Sequence, residues 1–151
     1  MPRTRGLAHV NLNVSDIDRS ARFYAAVLGM VIVSDTTEIV DKDGQAVELR
    51  QVLLSTPGRS DLLALTQGAA FPVGRGGLNH IGFVLESDED VRAAIREVER
   101  YDGEVRRHGD REDNGVREAF AYVRDPDGYD VELSTQAIAL AYVRARRHES
   151  R

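Results

Sequence analysis

The segment Leu7-Ala-His-Val-Asn-Leu-Asn-Val14 recurs as Leu78-Asn-His-Ile-Gly-Phe-Val-Leu85, histidine on histidine. The residues after each copy repeat the same plan. Behind the first copy lies a helix pattern: Ser15 or Asp16 as cap, an apolar stripe of Ile17, Ala21, Tyr24 and Leu28 with Phe23 and Val27 beside it, and Gly29 as the stop. Behind the second, Ser87 is the cap with Asp90 in the first turn, Val91, Ala94, Ile95 and Val98 are the stripe, and Gly103 is the stop. Three strand-like stretches close each copy: Met30–Val40, Ala46–Ser55 and Leu62–Gln67 in the first, Glu104–Arg107, Arg117–Arg124 and Tyr129–Ser134 in the second. Strand, helix and three strands, written twice, is far longer than a solenoid period. It predicts an α+β fold of two tandem βαβββ modules. Module one covers about 6–68, a Gly-rich linker about 69–77, module two about 78–136 and a basic-ended C-terminal helix about 137–148, all within a single domain over 1–151.

Composition narrows the function classes. The chain has 151 residues, 42% hydrophobic and 30% charged, which is enough for one well-cored domain and too apolar for disorder. A net charge of −5 gives no general affinity for nucleic-acid phosphates. The absence of cysteine removes disulfides, thiolate metal ligands and a cysteine nucleophile. The N-terminus lacks the apolar run of a signal peptide, and no stretch approaches the roughly 18 apolar residues of a membrane span. The expectation is a cytoplasmic protein whose partner is a small molecule, with neither nucleic acid nor membrane involved.

The chemistry gathers around Asp125-Pro-Asp-Gly-Tyr-Asp-Val-Glu-Leu133. Asp-Pro-Asp-Gly is turn chemistry, and the strand that leaves it puts Asp130, Glu132 and Ser134 on one face and Tyr129, Val131 and Leu133 on the other. Aligning Leu63-Ala-Leu-Thr66 with Val131-Glu-Leu-Ser134 places His9, Ala64, His80 and Glu132 at four matching positions. A lone histidine at a strand start is more often structural than a ligand; the repeated pair with a carboxylate is a different matter. Two imidazoles and one carboxylate, His9, His80 and Glu132, form a facial triad that suits Fe(II) and accommodates Mn(II), Zn(II), Ni(II) or Co(II), one ion per site. Asn11 and Asn13 share the His9 face and line the cavity as substrate contacts. Ala64 opens the side of a missing fourth ligand, and Gly82 leaves room beside the metal. Phe23 and Tyr24 are core residues, His108 and His148 exposed, and Arg106–Asp113 a mixed-charge loop that reads as a solvated edge before a binding patch, with a lid as the alternative.

Taken together, Leu-Ala-His9-Val, Phe23-Tyr-x-x-Val-Leu-Gly29, Asn79-His80-Ile-Gly-Phe and Asp125-Pro-Asp-Gly-x-x-x-Glu132 resemble the vicinal oxygen chelate superfamily. This is the family of glyoxalase I, extradiol dioxygenases, fosfomycin-resistance enzymes, methylmalonyl-CoA epimerase and bleomycin-binding proteins. The resemblance runs from Leu7 to about Gln136. It implies a curved mixed β-sheet enclosing a cleft, metal ligation by His9, His80 and Glu132, and a homodimer. Glyoxalase I has a glutamate where this chain has Ala64. In the dioxygenases a tyrosine in the place of Tyr122 binds and polarises a catecholic substrate, which makes Tyr122 the catalytic candidate. Their acid-base histidine, seven or eight residues ahead of that tyrosine, has no counterpart here. The resemblance therefore implies an Fe(II) ring-cleaving dioxygenase-like activity on a vicinal-oxygen, catechol-like substrate. A non-redox metal-dependent lyase, isomerase or transferase, or a metal-free drug-binding resistance protein, are the alternatives.

Overall fold

Each copy of the repeat folds as its periodicity dictates. The computed structural model describes residues 7–40, 43–68 and 72–149, and its internal contacts divide into two compact units, Met1–Gly74 and Arg75–Arg151. In the first, β1 (His9–Asn13) leads to α1 (Ile17–Leu28), then β2 (Val31–Val40), β3 (Ala46–Ser55) and β4 (Leu62–Gln67). Asp16 is the cap of α1, its Oδ1 accepting from the Arg19 amide at 3.0 Å, which satisfies a donor the first turn leaves open. Gly29 ends the helix at φ 66°, where a side chain would be strained, and its amide donates to the Ala25 carbonyl. The face between buries Ile17, Ala21, Phe23, Tyr24 and Val27. Each of the larger side chains contributes about 1.5–3 kcal/mol by leaving water.

The second unit runs β5 (Ile81–Val84), α2 (Asp88–Val98), a 3₁₀ turn (Glu99–Tyr101), β6 (Glu104–Asp113), β7 (Val116–Arg124), β8 (Asp130–Ser134) and α3 (Ala137–Glu149). Ser87 Oγ accepts from the Asp90 amide at 3.1 Å and donates to the Asp90 carboxylate at 2.6 Å, fixing the start of α2. Asp88 ties that end to the sheet by accepting from the Ala119 amide at 2.9 Å. Val91, Ala94 and Val98 are the buried stripe.

Two four-stranded sheets of equivalent topology result, ordered β1-β4-β3-β2 and β5-β8-β7-β6. The first and last strands of each module pair in parallel, and the remaining pairs are antiparallel. Register preserves the repeat: Asn11 lies opposite Ala64 in one sheet and Gly82 opposite Glu132 in the other. The fold is thus α+β, two βαβββ modules and a C-terminal helix. Between β7 and β8, buried Asp125 accepts from the amides of Asp127 (3.0 Å) and Tyr129 (2.9 Å), and Gly128 turns at φ 85°. No helix among the described residues is long and apolar enough to cross a membrane.

Three expectations need correction or bounding. β5 is shorter than Leu78–Leu85, and His80 stands one residue before it. The strand expected over Glu104–Arg107 runs on through the charged stretch to Asp113, so that stretch is strand, not loop. It pairs with β7 out to Asp113 opposite Val116, across a turn at Asn114 (φ 49°) and Gly115 (φ 75°). As the edge strand of its sheet, β6 tolerates charge that a central strand would not. Asp41 and Lys42 of the first hairpin turn, residues 69–71 of the linker and the side chain of His148 lie outside the described residues.

Candidate active site

Alternation along β7 and β8 decides what the second unit presents. Ala119, Ala121, Val123, Val131 and Leu133 are buried in the core. The other parity carries Glu118, Phe120 and Tyr122 on β7 and Glu132 and Ser134 on β8, with Gly82 and Tyr122 the direct neighbours of Glu132. β6 adds Arg107 opposite Tyr122, Gly109 opposite Phe120 and Arg111 opposite Glu118.

Glu132 is buried, and a buried carboxylate requires partners for both oxygens. Arg111 Nη2 donates to Oε1 at 2.7 Å, and His80 Nε2 lies 3.0 Å from Oε2. Arg111 is held in turn by Glu118, whose Oε1 accepts from Arg111 Nε at 2.7 Å. Glu118 is 1% exposed and its other oxygen accepts from Thr135 Oγ1 (3.4 Å) and the Ile138 amide (3.3 Å), so the start of α3 is tied to the same chain of contacts. Burial works against the charge on Arg111, but its hydrogen bonds to Glu132 and Glu118 outweigh that and raise its pKa. The His80 ring meets Tyr122 edge-on at 5.6 Å between centroids.

His80 Nδ1 lies 2.6 Å from Asn79 Oδ1, a contact that turns Nε2 towards Glu132. With Nδ1 as the donor in a neutral ring, the Nε2 lone pair meets that of Oε2 at 3.0 Å, an arrangement that a shared cation turns from repulsive to favourable. Two donors at about 2.1 Å from one octahedral ion are also about 3.0 Å apart. The His80–Glu132 pair therefore fits a divalent metal. Within the described residues it is a pair; no group of three or more His, Asp or Glu side chains is assembled among them.

The remaining predicted residues belong to the first unit. His9 opens β1 and is exposed. Asn11 Oδ1 accepts from Thr66 Oγ1 at 2.9 Å, and Thr66 accepts from Gln51 Nε2 at 3.3 Å. Asn13 donates to the Pro72 carbonyl at 3.3 Å. Ala64 is 2% exposed, its small side chain enclosed in the first unit's core. In the second unit, a Cβ on Gly82 would meet nothing closer than Gln136 Nε2 at 3.9 Å, so the space beside Glu132 is open there.

Arg111, Glu118, Arg107 and Phe120 are site residues that sequence reasoning misses. Reading 106–113 as loop removes the two-residue period that aligns Arg107 with Arg111 and both with the Glu132 face. A carboxylate amid Val116-Arg-Glu-Ala-Phe-Ala-Tyr-Val123 is the signal that could have found them.

The family model described as the Glyoxalase/Bleomycin resistance protein/Dioxygenase superfamily matches residues 6–133. A search of curated proteins returns no match. Among solved structures, the trypanothione-dependent glyoxalase I of Leishmania major is 24% identical, with a TM-score of 0.66 over 97% of this chain and 98% of that one. A glyoxalase/bleomycin resistance protein from Albidiferax ferrireducens is 23% identical, with a TM-score of 0.62 over 85% and 97%. The fosfomycin resistance protein FosX of Listeria monocytogenes, as a variant complexed with Mn(II) and 1S,2S-dihydroxypropylphosphonic acid, is 20% identical, with a TM-score of 0.64 over 88% and 94%. At these identities the likeness is one of fold.

Cutting the chain of contacts at Arg111 leaves Glu118 buried without its cation. Arg111→Met should lower stability by about 1.5–3 kcal/mol, with the lower end expected because a third of the arginine meets solvent. The double variant Arg111→Met/Glu118→Gln should recover much of the loss. Urea unfolding measures both; a single variant within about 0.5 kcal/mol of the parent would show that the pair does not order the site.

Proposed function

The chain belongs to the Glyoxalase/Bleomycin resistance protein/Dioxygenase superfamily, and we propose that it is a metal-dependent enzyme acting on a small molecule through two neighbouring oxygens. The observation that carries this reading is the convergence of His80 Nε2 on Glu132 Oε2 at 3.0 Å, beside open space at Gly82. His80 and Glu132 serve as two ligands and His9, the equivalent of His80 in the repeat, as the third. Asn11 and Asn13 are proposed substrate contacts. A divalent ion there supplies Lewis acidity to a substrate oxygen. Arg111 fixes the Glu132 carboxylate with one oxygen committed and the other facing His80. Tyr122, half-buried and directly opposite Glu132, is placed to donate a hydrogen bond to a substrate oxygen on which charge develops.

Non-redox chemistry, of the lyase, isomerase or transferase kind, is the first reading. A FosX structure of the same fold carries Mn(II) with a dihydroxy phosphonate. Ring cleavage by an Fe(II) form is the second, and the position of Tyr122 opposite Glu132 favours it. It ranks lower because the segment seven or eight residues ahead of Tyr122 is the Asn114–Gly115 turn, which brings no histidine. A homodimer is also proposed. Val31, Ile32 and Val33 on the edge strand β2 are 46–55% exposed, so this edge offers apolar side chains that a second copy can cover.

Protein purified without chelator should carry about one divalent metal per chain by elemental analysis. His80→Ala should lose it with an unchanged circular dichroism spectrum; stoichiometric metal in that variant would refute the ligand assignment. Reaction class is separable by two assays. Mn(II)-loaded protein is expected to open a vicinal epoxide or add a thiol without consuming O₂, whereas rapid O₂ uptake by anaerobically Fe(II)-loaded protein given catechol would reverse the ranking. Sedimentation equilibrium at micromolar concentration should return twice the chain mass, and a monomer would contradict the dimer.

A further inference from the structure

The Glu132 face continues into an open cleft of about 290 Å³ lined by Arg107, His108, Gly109, Asp110, Arg111, Phe120 and Tyr122. Among the described residues, one guanidinium of this cleft lacks a carboxylate partner. Arg111 is shared by Glu118 and Glu132. Asp110 is paired with Arg92 at 3.2 Å and Arg117 at 3.0 Å. Arg107 has no carboxylate partner among the described residues; its one contact is with the ring of Phe120, 5.3 Å from the guanidinium carbon to the centroid. Arg111 bears on the same ring at 5.1 Å. Phe120 thus orients both cations, as a ring face does for guanidinium groups. Tyr122 stands directly across from Arg107, edge-on to His80 on one side and to Phe120, at 6.0 Å, on the other. Its hydroxyl makes no hydrogen bond among the described residues.

We propose that Arg107, across from Tyr122, forms an anion subsite, so that the substrate carries a carboxylate, phosphonate or phosphate group next to its vicinal oxygens. This rests on the His80–Glu132 reading for where the vicinal oxygens sit. A guanidinium without a carboxylate partner, pre-oriented on an aromatic ring, suits a planar or tetrahedral oxyanion because it offers paired N–H donors. Tyr122, directly across the strand pair, keeps its single O–H for the substrate oxygen next to that anion. Arg111 is engaged by Glu118 and Glu132, and Asp110 by Arg92 and Arg117, so Arg107 is the guanidinium of the cleft left to meet a ligand anion.

Three catechols that differ in one substituent test the subsite on Mn(II)-loaded protein by calorimetry: catechol, 3,4-dihydroxybenzoate and 3,4-dihydroxyphenylphosphonate. The acidic compounds should bind about ten-fold or more tighter than catechol, and the two acids distinguish a carboxylate site from a phosphonate site. Arg107→Gln should reduce that preference to within about three-fold, and Arg107→Lys should restore part of it. In metal-free protein, inorganic phosphate and methylphosphonate should each shift the Arg107 Nε–H resonance saturably. If they do so while the catechols show no dependence on metal, the subsite stands and the metal reading fails. No saturable shift with either anion, or an unchanged preference for the acids in Arg107→Gln, would overturn the subsite whatever the metal result.

Discussion

A buried carboxylate at the centre of a sheet is the constraint on which the second unit depends. Glu132 sits on β8 between β5 and β7 with little of it meeting solvent, so the fold must supply partners for its oxygens. It does so with one cation, Arg111 on Oε1, and one imidazole, His80 at Oε2. Arg111 alone would cancel the carboxylate's charge and blunt its attraction for a metal. Glu118 prevents this by sharing the guanidinium, so that the two carboxylates and one arginine together keep a net negative charge. That surplus is what a divalent ion, or a protonated imidazole, answers. The contacts of Glu118 with Thr135 and Ile138 extend the dependence to α3.

The repeat shows how one scaffold carries two different surfaces. Where the second unit sets Gly82, Glu132 and Tyr122 side by side across β5, β8 and β7, the first sets Asn11, Ala64 and Leu53 across β1, β4 and β3. Backbone pairing is the same. The first version closes over an enclosed alanine and a local Gln51–Thr66–Asn11 hydrogen-bond chain, while the second holds charge. Register, set by the apolar parity of Leu63 and Leu65 in one strand and Val131 and Leu133 in the other, survives this exchange because it belongs to the core face.

That same parity governs what can be read from the chain. Both modules, the capped starts of α1 and α2 and the Asp125 turn come from apolar period and turn chemistry, while Tyr122 comes from the family resemblance and its place opposite Glu132 from the strand register. The run Arg106–Asp113 does not, since an edge strand with polar side chains on both faces has no apolar alternation to reveal it. Its strand character is imposed by pairing with β7, an interaction invisible to local pattern. With the strand go the partners of Glu132: Arg111 is 21 residues away in sequence, and only β6 lying beside β7 brings it within reach. His80, by contrast, is legible from the repeat, although its strand begins one residue later than the pattern indicates.

The central claim is that His80 and Glu132 face each other to share a metal, not to form a plain ion pair. An anomalous difference map from crystals equilibrated with Mn(II) tests it most directly. The account predicts a single strong peak about 2.0–2.3 Å from both His80 Nε2 and Glu132 Oε2, with Arg111 still on Oε1. No peak there, with His80 Nε2 remaining in direct contact with the carboxylate in the presence of the ion, would contradict it.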